Sequence, residues 1–175
     1  MKVITIQSKE VLMILKKFGK YTVSNNAPIA SKEFIKSYKF MMKHYGYSHR
    51  PIFMCPVGYR VNFGGAKTDG TYIIELDIPD RFCKIQDYYG WSDFIYFTEV
   101  PGEYEPFKGY NTVEQFGKYV LDMYKNGFDK NTNIVYQATT QFLRKSWVKK
   151  VIPMNKNFED RYVDTGGENI LKSIM

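Results

Sequence analysis

Cysteine and histidine are almost missing from this 175-residue chain, which carries two of each: Cys55, Cys83, His44 and His49. Two thiols are too few for the dense disulfide framework of a small extracellular domain, so a reducing interior is the simpler setting. Four ligand-capable residues at unmatched spacings argue against a structural zinc site, and no metal is expected. A Ser/His/Asp triad would have to use His44 or His49. Both fall at or just past the end of a predicted helix, where the helix C-terminus favours imidazolium, and no Gly-x-Ser-x-Gly elbow accompanies them. Glycine-rich phosphate loops of the P-loop and dinucleotide kinds are absent too, and Gly64-Gly65 reads as a turn. No apolar run approaches the roughly 18 residues that suggest a membrane span. The opening Met1-Lys2-Val3-Ile4-Thr5 meets the charged Lys9-Glu10 too soon for a signal peptide. These absences lead to the expectation of a soluble, cytoplasmic protein with no membrane partner. Its richness in Lys, Asn and Tyr leans towards an AT-rich bacterial or phage genome.

Aromatic side chains and positive charge are abundant. Fifteen Tyr, 13 Phe and two Trp make 17% of the chain, and 44% of it is hydrophobic, which excludes disorder and low-complexity classes. A chain this long buries roughly 70% of its unfolded surface and needs no staples. The net charge is +7, and residues 1–87 hold all of the excess: 14 basic and 7 acidic, against 11 and 11 in residues 88–175. Such asymmetry suits a surface for nucleic acid or an acidic protein, although solubility alone also explains it.

Along the chain, Val3–Ile6 reads as a strand. Ser8 stands at an N-cap position, Val11, Leu12, Ile14, Leu15 and Phe18 follow at helical spacing, and Gly19 ends the helix. Residues 22–30 read as a loop. Ser31 caps a second helix with the apolar face Phe34, Ile35, Tyr38, Met41, Met42 and Tyr45. Lys32, Lys36, Lys39 and Lys43 stack on its opposite face, either as a solvated stripe or as a track for a phosphate backbone. Strands are expected at 51–55, 72–78, 134–139 and 147–152. Ile74, Leu76 and Ile78 should share one face of theirs, with Ile73, Glu75 and Asp77 on the other. The pair Glu75 and Asp77 fits acid–base work or a solvent face equally. Trp91–Phe97 reads as a short helix or turn. Asn111 with Glu114 marks a capped helix whose buried stripe is Val113, Phe116, Tyr119, Val120, Met123 and Tyr124, ending at Gly127. Tyr88-Tyr89-Gly90-Trp91 is either a stacking platform or a corner of the core. Helices and strands do not alternate, so the expected fold is α+β: one domain over residues 1–154 with a mainly antiparallel sheet, then a tail, 155–175, with at most a short helix.

Three patches resemble one bacterial and phage family, domain of unknown function 3841. They are Lys2-Val3-Ile4-Thr5-Ile6-Gln7 before a helix; Glu75-Leu76-Asp77-Ile78-Pro79-Asp80 followed by Ile85, Asp87 and Trp91; and Gln137-Ala138-Thr139 followed by Trp147-Val148-Lys149-Lys150-Val151. That resemblance implies no activity. In architecture the chain is also similar to small ADP-ribosyltransferase-like domains, which have a split sheet. This second resemblance implies a cleft in which Thr5 and Gln137 take catalytic positions and Gln7, Tyr59, Arg60 and Trp91 contact NAD or another nucleotide. The late position is a glutamate in such enzymes, and its charge favours an oxocarbenium-like transition state. Gln137 is neutral and can offer a ribose hydroxyl only hydrogen bonds, so the implied protein is weakly active or inactive as a transferase.

Three functions follow. The first is a nucleotide cleft, which requires the opening strand and the Gln137 strand to look into one hollow. The second is a basic module binding nucleic acid or an acidic protein through Lys32, Lys36, Lys39 and Lys43, for which a phage counter-defence role would be apt. The third is an interaction domain with an exposed aromatic patch.

Overall fold

The computed structural model describes residues 1–27, 34–59, 71–99, 112–126 and 134–154. β1 (Lys2–Ser8) leads into α1 (Lys9–Phe18). Val11 and Leu15, one turn apart, bury the inner face of α1, and Gly19 caps it at φ 72°, its N–H bonding to the Leu15 carbonyl at 3.0 Å. β2 (Lys20–Tyr21), α2 (Phe34–Tyr45), β3 (Ile52–Pro56) and β4 (Thr71–Asp77) follow. β5 (Lys84–Asp87) turns directly into α3 (Tyr88–Glu99), where the Asp87 carboxylate accepts from the Tyr89 N–H at 3.0 Å. The expected short helix at Trp91–Phe97 is therefore three turns long. α4 (Val113–Leu121) is capped by Thr112, whose hydroxyl accepts from the Gln115 N–H, in place of the expected Asn111. It breaks at Asp122 before α5 (Met123–Asn126). β6 (Tyr136–Thr140), β7 (Leu143–Arg144) and β8 (Val148–Pro153) complete the chain. Arg60, Lys32, Ser31, the 101–109 loop and the 155–175 tail lie outside the described residues.

All the main strands pair antiparallel, in the order β5-β6-β3-β1-β4-β8. β3 changes partner along its length. Its Cys55 and Pro56 pair with Ile4 and Val3 of β1, while Ile52, Phe53 and Met54 pair with β6. β2 and β7 form a separate two-residue ribbon, Lys20 opposite Arg144 and Tyr21 opposite Leu143. This is a single α+β domain with a mostly antiparallel sheet.

Helices cover both faces. On one, Val11 and Leu15 of α1 and Leu143 of the ribbon pack on Val3, Met54, Ile74, Leu76, Ile78 and Ala138. On the other, Met41, Trp91, Phe94, Phe116, Val120 and Leu121 join α2, α3 and α4 into a second apolar cluster against Phe53. Ile74, Leu76 and Ile78 do share a buried face, but Ile73 is buried as well, so β4 is covered on both sides there. Three residues assigned to inner helical stripes are exposed: Phe18, Ile35 and Tyr119. Among the described residues no helix is long and apolar enough to cross a membrane.

The helical layer is tightest at Gly117, where an added Cβ would stand 2.4 Å from the Phe40 ring and 2.8 Å from Phe94. Gly117→Ala is expected to lower stability by about 1–2 kcal/mol even though alanine favours the helix by about 1 kcal/mol. Equilibrium urea denaturation measures this, and a stabilised variant would contradict the described α2–α4 contact.

Candidate functional site

Strand registers decide whether the predicted cleft residues meet. Thr5 lies opposite Ile74, and Val3 opposite Leu76 and Pro56, so Thr5 and Gln7 point to the α1 face. Phe53 lies opposite Thr139, and Gln137 opposite Gln86, so Gln137 points to the α2–α4 face. β3 also stands between β1 and β6. The expected common hollow for Thr5 and Gln137 is therefore not formed. Where β1 and β3 part, Thr5, only 2% exposed, closes the gap: its hydroxyl donates to the Phe53 carbonyl at 3.0 Å and accepts from the Gln7 amide at 2.8 Å.

Gln137 is 6% exposed and sits beside the fully buried Gln86. Tyr45 donates to the Leu121 carbonyl at 2.8 Å and to Gln86 Oε1 at 3.3 Å, while the Nε2 groups of both glutamines have no hydrogen-bond acceptor among the described residues. A buried amide without an acceptor costs stability. Trp91 is likewise interior, 4% exposed and stacked on Tyr38 at 6.3 Å between centroids. The Tyr88–Trp91 segment is a corner of the core, with only Tyr89 strongly exposed. His44, in the last turn of α2, bonds Asp122 at 2.7 Å, and Lys125 reaches the same carboxylate at 2.8 Å. Partial burial works against ionising Asp122, but the hydrogen bonds from Lys125 and His44 outweigh it and hold the carboxyl below its ordinary value. The trio ties α2 to the α4–α5 break, a structural use of the histidine.

Of the expected ligand contacts that are described, Tyr59 lines a hollow. A half-open hollow of about 450 Å³ is lined by Met1, Lys2, Val57, Tyr59, Asp80, Cys83, Lys84 and Ile85. The Tyr59 ring rests edge-on against Tyr136 at 5.7 Å.

The basic surface lies partly where it was expected. Lys36, Lys39 and Lys43 are exposed along α2. However, Lys36 bonds the Thr98 carbonyl at 3.4 Å, and Lys43 lies close to Glu114. The Glu114 carboxyl is held down first by the hydrogen bond and charge of Lys118 and then by Lys43. The denser group is at the ribbon. Lys20 faces Arg144 across it, and the Lys145 N–H bonds the Gly19 carbonyl at 2.9 Å, directly after the last turn of α1, which carries Lys16 and Lys17. All five are exposed, and none forms an ion pair among the described residues. Lys20 and Arg144 both lie over the Phe142 ring, at 4.7 and 5.5 Å, which fixes two of the charges. Phe142 packs on Phe82, whose ring carries Arg81 at 4.8 Å, extending the patch. Lys16-Lys17-Phe18-Gly19-Lys20 is visible in the sequence as a local basic run. Its junction with 144–145 depends on a two-residue ribbon that no sequence pattern marks.

Comparison with known proteins finds no family model, no curated protein and no solved structure that the chain matches.

Burial pushes both thiols, Cys55 and Cys83, up to about 12, so at pH 8 they are almost wholly protonated. Ellman's reagent is expected to label neither within minutes in native buffer and both in 6 M guanidinium (a denaturing concentration by the usual midpoints). Rapid native labelling would contradict this burial.

Proposed function

We propose that the protein is a basic binding module that engages a polyanion through its ribbon face. The reading is carried by one observation: Lys20, Arg144 and Lys145 meet from distant parts of the chain just after the last turn of α1, which carries Lys16 and Lys17, and none of the five has a carboxylate partner among the described residues. Neighbouring cations repel one another, and a multiply charged anion relieves that repulsion while releasing its own counterions. The α2 stripe is a weaker candidate because Lys36 and Lys43 already have partners within the fold. Three to five phosphate contacts would give a slope of about −3 to −5 for log K against log salt on duplex DNA. Fluorescence anisotropy with a labelled 20-base-pair duplex (about two helical turns) is the direct test. The triple variant Lys17→Glu, Lys20→Glu, Lys145→Glu is expected to flatten the slope by about 3 and to weaken binding at least tenfold. Lys39→Glu, Lys43→Glu should change little, and the reverse pattern would move the site to α2.

A second reading, the nucleotide site of an ADP-ribosyltransferase-like domain, keeps two observations in its favour. One is the change of partner along β3, which parts β1 from β3 as a split sheet would. The other is the hollow beside Tyr59, whose volume suits a small molecule and whose rim carries Lys2 and Lys84. Catalysis by Thr5 and Gln137 has no such support, since they face opposite sides of the sheet. On this reading, millimolar NAD raises the melting temperature of the wild type and not of Tyr59→Ala. An unmoved wild-type melting curve at that concentration removes the reading.

A further inference from the structure

We infer that the ribbon face takes single-stranded nucleic acid, with one base stacked on Phe18 and the flanking phosphates held by the cations around it. The inference rests on the polyanion reading above and names the class of polyanion. Its distinguishing observation is Phe18 itself. The ring closes α1, ahead of Gly19, and is 67% exposed, although helical spacing assigns it to the inner stripe. A phenyl ring in water is unfavourable by its apolar area, and the sugar–phosphate backbone of a duplex has no π-face to place on it. An unpaired base does. Every base has a π-face, and stacking on an aromatic ring is tolerant of sequence. Met13, Tyr89, Tyr96 and Tyr119 are also exposed, but none of these has cations on both sides in the chain as Phe18 has.

The surroundings suit a strand whose charges are spaced along a flexible backbone. Lys17 Nζ lies over one face of the Phe18 ring, 5.0 Å from its centre, so a base would stack on the other face with this charge beside it. Lys20 and Arg144, steadied on Phe142, continue the positive track one step further, and Lys145 joins it through the Gly19 carbonyl. Gly19 lets the chain reverse sharply at φ 72°, so the ring and the ribbon cations follow one another within two residues. In a duplex the bases are already stacked inside and the ring would be left uncovered, so single strands should bind more tightly than duplex at equal salt.

The test is anisotropy with labelled oligo-dT and the matching duplex, in the full chain and in Phe18→Ala and Phe18→Trp. The phenyl ring is on the surface, so both variants should fold, which circular dichroism checks. Phe18→Ala is expected to weaken oligo-dT binding about tenfold, to leave duplex binding and the salt slope unchanged, and Phe18→Trp to keep the wild-type affinity. If both nucleic acids bind but Phe18→Ala equals wild type, stacking is wrong and the polyanion reading stands. Tighter binding of poly-glutamate than of oligo-dT likewise overturns stacking and leaves the polyanion reading in place, with an acidic protein as the partner. If neither nucleic acid nor poly-glutamate binds at low salt, the polyanion reading itself fails and takes this inference with it.

Discussion

β3 is hydrogen-bonded by β1 at one end and by β6 at the other, and almost every assignment of a side chain to a layer follows from its register. In an antiparallel pair, residues directly opposite one another point the same way, and a shift of one position would turn every neighbour over. With Ile4 opposite Cys55 and Phe53 opposite Thr139, Thr5 goes to the α1 layer and Gln137 to the α2–α4 layer. The same constraint fills the interior from both sides. β6 is buried along its whole length and β5 at its middle, which is why Gln86, Gln137, Thr139 and Thr140 are interior although they are polar. Only at the margins are side chains free of the double layer.

Local chemistry makes much of the fold legible. Ser8 and Gly19 bracket α1, the β-branched opening is β1, and Pro79 follows β4 as a stop. The α+β class and the antiparallel sheet follow from the order of these segments. Short elements held by tertiary contacts are not legible: β2 and β7 have two residues each, and β5 has four. A two-residue pair has no periodicity of its own. The break of the last helices at Asp122 is similarly hidden, because it depends on the carboxylate being shared by His44 from α2 and Lys125.

The site is less legible than the fold, for a geometric reason. A resemblance places residues along strands, whereas a cleft depends on the neighbour order and facing of those strands. Thr5, Gln7 and Gln137 lie on the strands expected of them and still do not converge. Trp91 shows the other failure. An aromatic cluster has the same composition whether it is a platform or a core, and only its contacts with Tyr38, Phe53 and Phe94 distinguish the two. Positive charge is concentrated towards the front of the chain, but its densest part borrows Arg144 and Lys145 from the back.

Lys20 and Arg144 are direct cross-strand partners, and like charges in that position push a ribbon apart. The Phe142 ring supplies part of the compensation and holds both cations close to it, at 4.7 and 5.5 Å. The ribbon is thus held closed against its own electrostatics. An anion settling between the two cations would act as a clasp, making this corner of the molecule stiffer when occupied than when empty.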